Sequence, residues 1–154
     1  MKAFFAGSFN PFTVGHLDIV ARARKIFPEI CIAIGYNFNK SAESDIRQRV
    51  DVIENLFKDI PGISVISYSG LTAEAALHSG AGVLIRGFRN AADAEYERLL
   101  ADTNRELFNI DTLLLPSLPA LSYISSSMVR ELEHHGVDTA RFIPTHEDVI
   151  RMLG

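Results

Sequence analysis

Short apolar runs alternate with stretches of helical periodicity along the whole chain. Residues 2–6, KAFFA, read as a buried strand. Leu17, Val20, Ala21, Arg24 and Phe27 then recur at helical spacing. ICIAIGY, residues 30–36, is rich in β-branched side chains and predicts a second strand. Ser44 is placed to cap a helix whose apolar face is Ile46, Val50, Ile53, Leu56 and Phe57. Pro61-Gly62 breaks it before a third strand, ISVISY, residues 63–68. Thr72 opens a short alanine-rich helix that Gly80 ends. GVLIRG, residues 82–87, predicts strand four. Asn90, with Asp93 three residues on, predicts a capping box and a helix to about Leu107. TLLLPS, residues 112–117, predicts strand five. Two helices close the chain, one from ISSS to Gly136 and one after Pro144 with Thr145 as its cap.

Strands that alternate with single helices predict β-α-β crossovers and a doubly wound, five-stranded parallel sheet covered on both faces, an α/β fold. The chain has 154 residues and is 47% hydrophobic, which suits one domain spanning 1–154. In such sheets ligands bind beyond the carboxyl ends of the strands. The unusual segments all fall at those ends: Gly7-Ser8, Asn39-Lys40, Leu71-Thr72, Arg86 to Arg89, and SYISSS.

The formal net charge of −4 excludes a global basic field for nucleic acid. Two arginines beside Gly87 instead suggest a small anionic ligand. Cys31, the one cysteine, sits in an apolar run and reads as a small buried hydrophobe. No Cys or His spacing matches a zinc site, and no residue stands out as a metal ligand. The N-terminal apolar stretch is too short for a signal peptide, and no window is long enough to span a bilayer. These features predict a soluble, cytoplasmic protein.

His16 falls in the first turn of the first helix, where free amides and the helix dipole favour anions. Taken alone, a histidine bonded to its own loop is the simpler reading. Ser125, Ser126 and Ser127 open another helix, although plain N-capping needs only one serine. Arg86 and Arg89 suit bidentate phosphate binding, or else ion pairs with Asp93, Glu95 or Glu97. Lys40 alone reads as a solvated loop residue. Gathered on one rim, these groups match the needs of a triphosphate. There is no Walker loop, no G-x-G-x-x-G after strand one and no G-x-S-x-G elbow.

TVGH, residues 13–16, and ISSS, residues 124–127, resemble the two signatures of the nucleotidyltransferase superfamily. With LIRGFRNAADAEYE, residues 84–97, GSFNPFTVGHLDIV and the isolated Lys40, nearly the whole chain resembles the bacterial phosphopantetheine adenylyltransferases. The resemblance implies a Rossmann-like nucleotidyltransferase fold. It also implies adenylyl transfer from ATP to 4′-phosphopantetheine, giving dephospho-coenzyme A and pyrophosphate. Mg²⁺, a homohexamer and feedback by coenzyme A are implied with it. Carried over position by position, His16 and Lys40 are catalytic. Ser8, Lys40, Thr72 and Arg86 hold the acceptor. Ser8, Phe9, His16, Gly87, Phe88, Arg89, Glu97 and the run Leu121, Ser122, Tyr123, Ile124, Ser125, Ser126 and Ser127 hold ATP. The chain departs from the family at Ser8, where threonine is commoner, at Asn10, where aspartate is common, and in residues 117–123, which lack tryptophan. Cytidylyl transfer, nicotinamide mononucleotide adenylyl transfer, a non-catalytic nucleotide sensor and a structural protein are the competing readings.

Overall fold

A computed structural model describes residues 1–154. Five strands, β1 (Lys2–Gly7), β2 (Glu29–Gly35), β3 (Ile63–Tyr68), β4 (Val83–Phe88) and β5 (Asp111–Pro116), form one sheet in the order β3-β2-β1-β4-β5. Every pairing is parallel, so all five carboxyl ends share one edge. Strand order reverses between β1 and β4, which opens a crevice above that pair.

Side-chain alternation along the strands feeds two cores. Ala3, Phe5, Ile30, Ile32, Ile34, Val83 and Ile85 face α1 (Val14–Arg24), α2 (Glu43–Phe57) and the C-terminal helix. Phe4, Ala6, Cys31, Ala33 and Leu84 face α3 (Thr72–His78), with Phe108 of α4 (Ala91–Phe108) packed at the margin. A third, small core of Ile124, Val129 and Phe142 seats α5 (Ser126–His134). α6 (His146–Leu153) closes the chain with Thr145 and Asp148 in a reciprocal capping box. No helix is long and apolar enough to cross a membrane.

The two faces are unequally covered. In α4 only Glu97 is buried, while Tyr96, Leu99 and Leu107 are well exposed. β5 is an edge strand with no fully buried residue.

Local details differ from the pattern-based expectation. Ser44 does not cap α2; the cap position is Ala42, which makes no side-chain bond, and Ser44 lies inside the first turn. Glu43 and Asp45 meet the helix dipole there instead. Asn90 does cap α4 by accepting from Asp93 N–H, but Asp93 returns its bond to Arg89 N–H, one residue too early for a capping box. α1 ends at Arg24, so Phe27 packs on the core from beyond the helix. β4 and β5 are each displaced by one residue from the expected bounds.

At the end of β1 the chain folds Phe9 back over Gly7. Phe9 adopts a left-handed φ of 45°, and its ring stacks edge-on against Phe5 at 5.1 Å. A Cβ on Gly7 would lie 2.9 Å from the Phe9 ring, which has core on its other side. Gly7→Ala therefore should destabilise the protein by about 1–3 kcal/mol through forced repacking. Urea unfolding would register this as a lower midpoint at unchanged slope, and an unchanged midpoint would show that the ring is free to move.

Candidate active site

A cavity of about 380 Å³ sits over the carboxyl ends of β1 and β4. Its walls come from the loop after β1, the start of α1, the end of β4, and the segment from Ser117 into α5. Six α-helices begin along this chain, and four carry an acid in the first turn. The two that do not are α1 and α5, the two that open on this cavity. Their dipoles are left uncompensated where an anion would lie.

His16 is the third residue of α1. Thr13 caps the helix, its Oγ1 accepting from His16 N–H at 3.4 Å, while His16 Nδ1 accepts from Thr13 N–H at 2.9 Å. An acceptor at Nδ1 fixes the neutral tautomer with its proton on Nε2. Nε2 has no protein partner and is open to the cavity. The rings of Phe9 and Phe12 lie 5.0 and 5.3 Å from the imidazole. Desolvation, and then the charges of Arg89 and Arg86, lower the His16 pKa from 6.5 to about 4. The bond to its own loop expected of His16 taken alone is present. One nitrogen is bonded to its own loop, and that bond aims the other at the site.

The serines divide their tasks. Ser125 Oγ accepts from Met128 N–H as the helix cap, and Ser126 Oγ donates to the Pro11 carbonyl at 2.8 Å. Ser127 is exposed on the rim, its hydroxyl 3.2 Å from that of Ser125. The backbone N–H groups of Ser126 and Ser127 have no partner within the chain. Three arginines reach the same space: Arg86, Arg89 and Arg130.

Of the residues the motifs single out, Ser8, Phe9, His16, Arg86, Gly87, Arg89, Leu121, Ile124, Ser125, Ser126 and Ser127 line this cavity. The Phe9 side chain belongs to the core, so the backbone is what it offers a ligand. Lys40, Thr72, Phe88, Glu97, Ser122 and Tyr123 do not line it. Lys40 lies in an exposed turn after β2, organised by Asn37, and has no carboxylate partner. Ser122 Oγ donates to the Pro119 carbonyl, and the exposed Tyr123 hydroxyl accepts from Arg141. Phe88 is half-buried. Thr72 Oγ1 pairs with the Tyr68 hydroxyl at 2.8 Å.

Thr72, Arg86 and Glu97 meet instead in a second cavity of about 220 Å³, also lined by Leu71, Leu84, Leu100, Asn104 and Thr112. Arg86 is common to both cavities. It forms a fork with Glu97, Nε to Oε2 at 2.9 Å and Nη2 to Oε1 at 2.8 Å, and its Nη1 donates to the Ala6 carbonyl at 2.7 Å. This pairing holds the arginine's pKa above its ordinary value. Arg89 approaches Asp93 only to 3.5 Å.

Arg130 and Thr13 are site residues that the pattern reading passed over. Arg130 lies one helical turn beyond Ser126, so the i, i+4 rule applied to the serine run would have found it. Thr13 was legible as an N-cap three residues before His16. No carboxylate lines the larger cavity, and no group of three acidic, histidine or cysteine side chains is placed to hold a metal ion. The residues present thus fit a multiply charged anion and do not by themselves fit a divalent cation.

Residues 4–132 match the family model described as cytidylyltransferase-like. A phosphopantetheine adenylyltransferase of Porphyromonas gingivalis is 49% identical over 142 residues, 92% of this chain and 93% of that protein. The enzyme of that name from Flavobacterium johnsoniae is 44% identical over 98% of this chain and 97% of its own length. The one from Oenococcus oeni is 39% identical over 99% and 96%. Among solved structures, a bifunctional NMN adenylyltransferase/ADP ribose pyrophosphatase from Francisella tularensis superposes with a TM-score of 0.67 at 15% identity. That match covers 97% of this chain and 48% of the other, a likeness of fold. With such identity over nearly its full length, the chain belongs to the phosphopantetheine adenylyltransferases, within the cytidylyltransferase-like family.

Proposed function

We propose that this chain transfers the adenylyl group of ATP to the phosphate of 4′-phosphopantetheine, giving dephospho-coenzyme A and pyrophosphate. The observation that carries the reading is a pair of cavities joined at Arg86, in a chain closely similar to relatives of that name. The larger cavity takes the triphosphate. Arg89, Arg130, Ser127 and the free amides of α5 supply its donors, and Leu121 and Ile124 offer an apolar wall. The smaller takes the acceptor's arm along Leu71, Leu84 and Leu100, with the Asn104 amide as its polar contact. Arg86, between them, receives the acceptor phosphate.

A phosphate monoester is largely dianionic at neutral pH, its second pKa being about 6, so it attacks the α-phosphorus without a base. Catalysis then consists of aligning two anions and stabilising the charge that develops as pyrophosphate leaves. His16 Nε2–H donates to an α-phosphate oxygen. Lys40 reaches over the rim from its exposed turn to neutralise the incoming phosphate. A divalent cation such as Mg²⁺ would have to be held by the phosphates of ATP, because the cavity lining contributes no carboxylate, and it would supply charge neutralisation there.

Three further features complete the proposal. The bare apolar positions of α4 and the open edge at β5 suit self-association, and we take the assembly to be a homohexamer. Coenzyme A carries both an adenylate and the pantetheine arm, so it competes for both cavities as a feedback inhibitor. The cytoplasm is the compartment.

Pyrophosphate release from ATP, assayed with 4′-phosphopantetheine, nicotinamide mononucleotide and glycerol phosphate as acceptors, tests the reaction. Turnover should require the first, and equal rates with another acceptor would overturn the reading. His16→Ala should lower kcat by about 10²-fold or more, the value of one charge-stabilising donor. It should cost stability by only about 1 kcal/mol, that of a cap bond. Full turnover in a folded variant would remove His16 from the mechanism.

The His16 environment also sets a pH dependence. In the unfolded chain the imidazole titrates at its ordinary 6.5, whereas the native group resists protonation down to about 4. Between those values the unfolded state binds the extra proton. Stability from this group is therefore complete above pH 6.5 and is lost as pH falls towards 4. An NMR titration should place the native midpoint near the lower value, and denaturation should show a smaller acid loss in His16→Ala. A native midpoint at 6.5 would contradict the described burial.

A further inference from the structure

Glu97 is the only buried residue of α4, and it is charged. Its side chain is 9% exposed, and that of its partner Arg86 is 33% exposed. Replacing a buried ion pair by well-packed apolar residues is often neutral or stabilising, so stability does not explain why this position is acidic. The geometry does. An arginine has five N–H donors. Glu97 takes the Nε–H and one Nη2–H, and the Ala6 carbonyl takes one Nη1–H. Two donors remain, one on each terminal nitrogen, on a guanidinium whose plane is fixed at the boundary of the two cavities.

The other two arginines of the site are not held this way. Arg89 is 42% exposed and only loosely near Asp93. Arg130 donates to the Asn10 carbonyl and has no carboxylate partner. A carboxylate beside Arg86 repels any further negative charge brought to it. That repulsion grows with ligand charge and is greater for a triphosphate than for a monoester.

We infer that Glu97 is a positioning residue: through its fork with Arg86 it commits that arginine to the acceptor's phosphate monoester and leaves the triphosphate to Arg89 and Arg130. This rests on the adenylyl transfer proposed above. It differs from the role implied by family resemblance, in which Glu97 serves ATP. The two roles affect different substrates when the charge is removed.

The test is Glu97→Gln, which keeps the shape and halves the fork. Initial rates with each substrate varied in turn should show KM for 4′-phosphopantetheine raised about tenfold, the effect of one charge-assisted bond, with no rise in KM for ATP, from which the repulsion has been removed. Glu97→Asp, which keeps the charge, should recover part of the loss. In an Arg86→Ala background, adding Glu97→Gln should raise KM no further, because the effect runs through Arg86. If Glu97→Gln lowers the folded yield, calorimetric titration with each ligand, which counts only competent sites, should give the same split between substrates. A loss confined to ATP, equal losses for both ligands, no loss for either, or multiplying effects in the double variant would overturn the inference. Wild-type protein that releases no pyrophosphate with 4′-phosphopantetheine would overturn the underlying reaction instead.

Discussion

One hydrogen bond, from Thr13 N–H to His16 Nδ1, sets the terms for the rest of the site. It satisfies an amide at the start of α1, so the helix begins where the cavity needs its dipole. It also makes Nδ1 an acceptor, which leaves the proton on Nε2, facing the cavity. The aromatic rings of Phe9 and Phe12 hold the imidazole in place and help exclude water. Exclusion of water keeps the ring neutral, and a neutral ring still donates. Gly7 belongs to the same arrangement, because only a residue without a Cβ lets Phe9 close over the end of β1.

A second constraint comes from the sheet. Parallel strands send every carboxyl end to one edge, and the reversal between β1 and β4 opens that edge. Arg86 stands on β4 at this opening, tethered to β1 by the Ala6 carbonyl and to α4 by Glu97. It therefore ties two strands and a helix together at the junction of two cavities. The α4 face above it has little else buried, so the helix is positioned by an ion pair and a few apolar contacts, with its outer leucines exposed.

Much of this was legible from residue patterns, because it depends on local geometry. Short continuous apolar runs and 3.6-period faces placed all five strands and six helices to within a few residues. Thr145 and Asn90 were readable as caps, since a cap is a contact between residues three apart. Ser44 misled because propensity ranks a serine above Ala42, while the helix start was decided by where α2 packs.

The parallel sheet, the convergence of five loops on one rim and the arginine, serine and histidine residues those loops carry were determined by the sequence alone, because each follows from periodicity or from a motif of a few residues. Which of those residues share a cavity was decided only in three dimensions. Strand order brought Arg86 between two pockets, helix α4 delivered Glu97 to it from eleven positions along the chain, and α5 brought Arg130 to the cavity that Arg89 lines. Such encounters depend on the relative placement of whole elements, and the burial that places those elements sums over many side chains. No short stretch of residues encodes it.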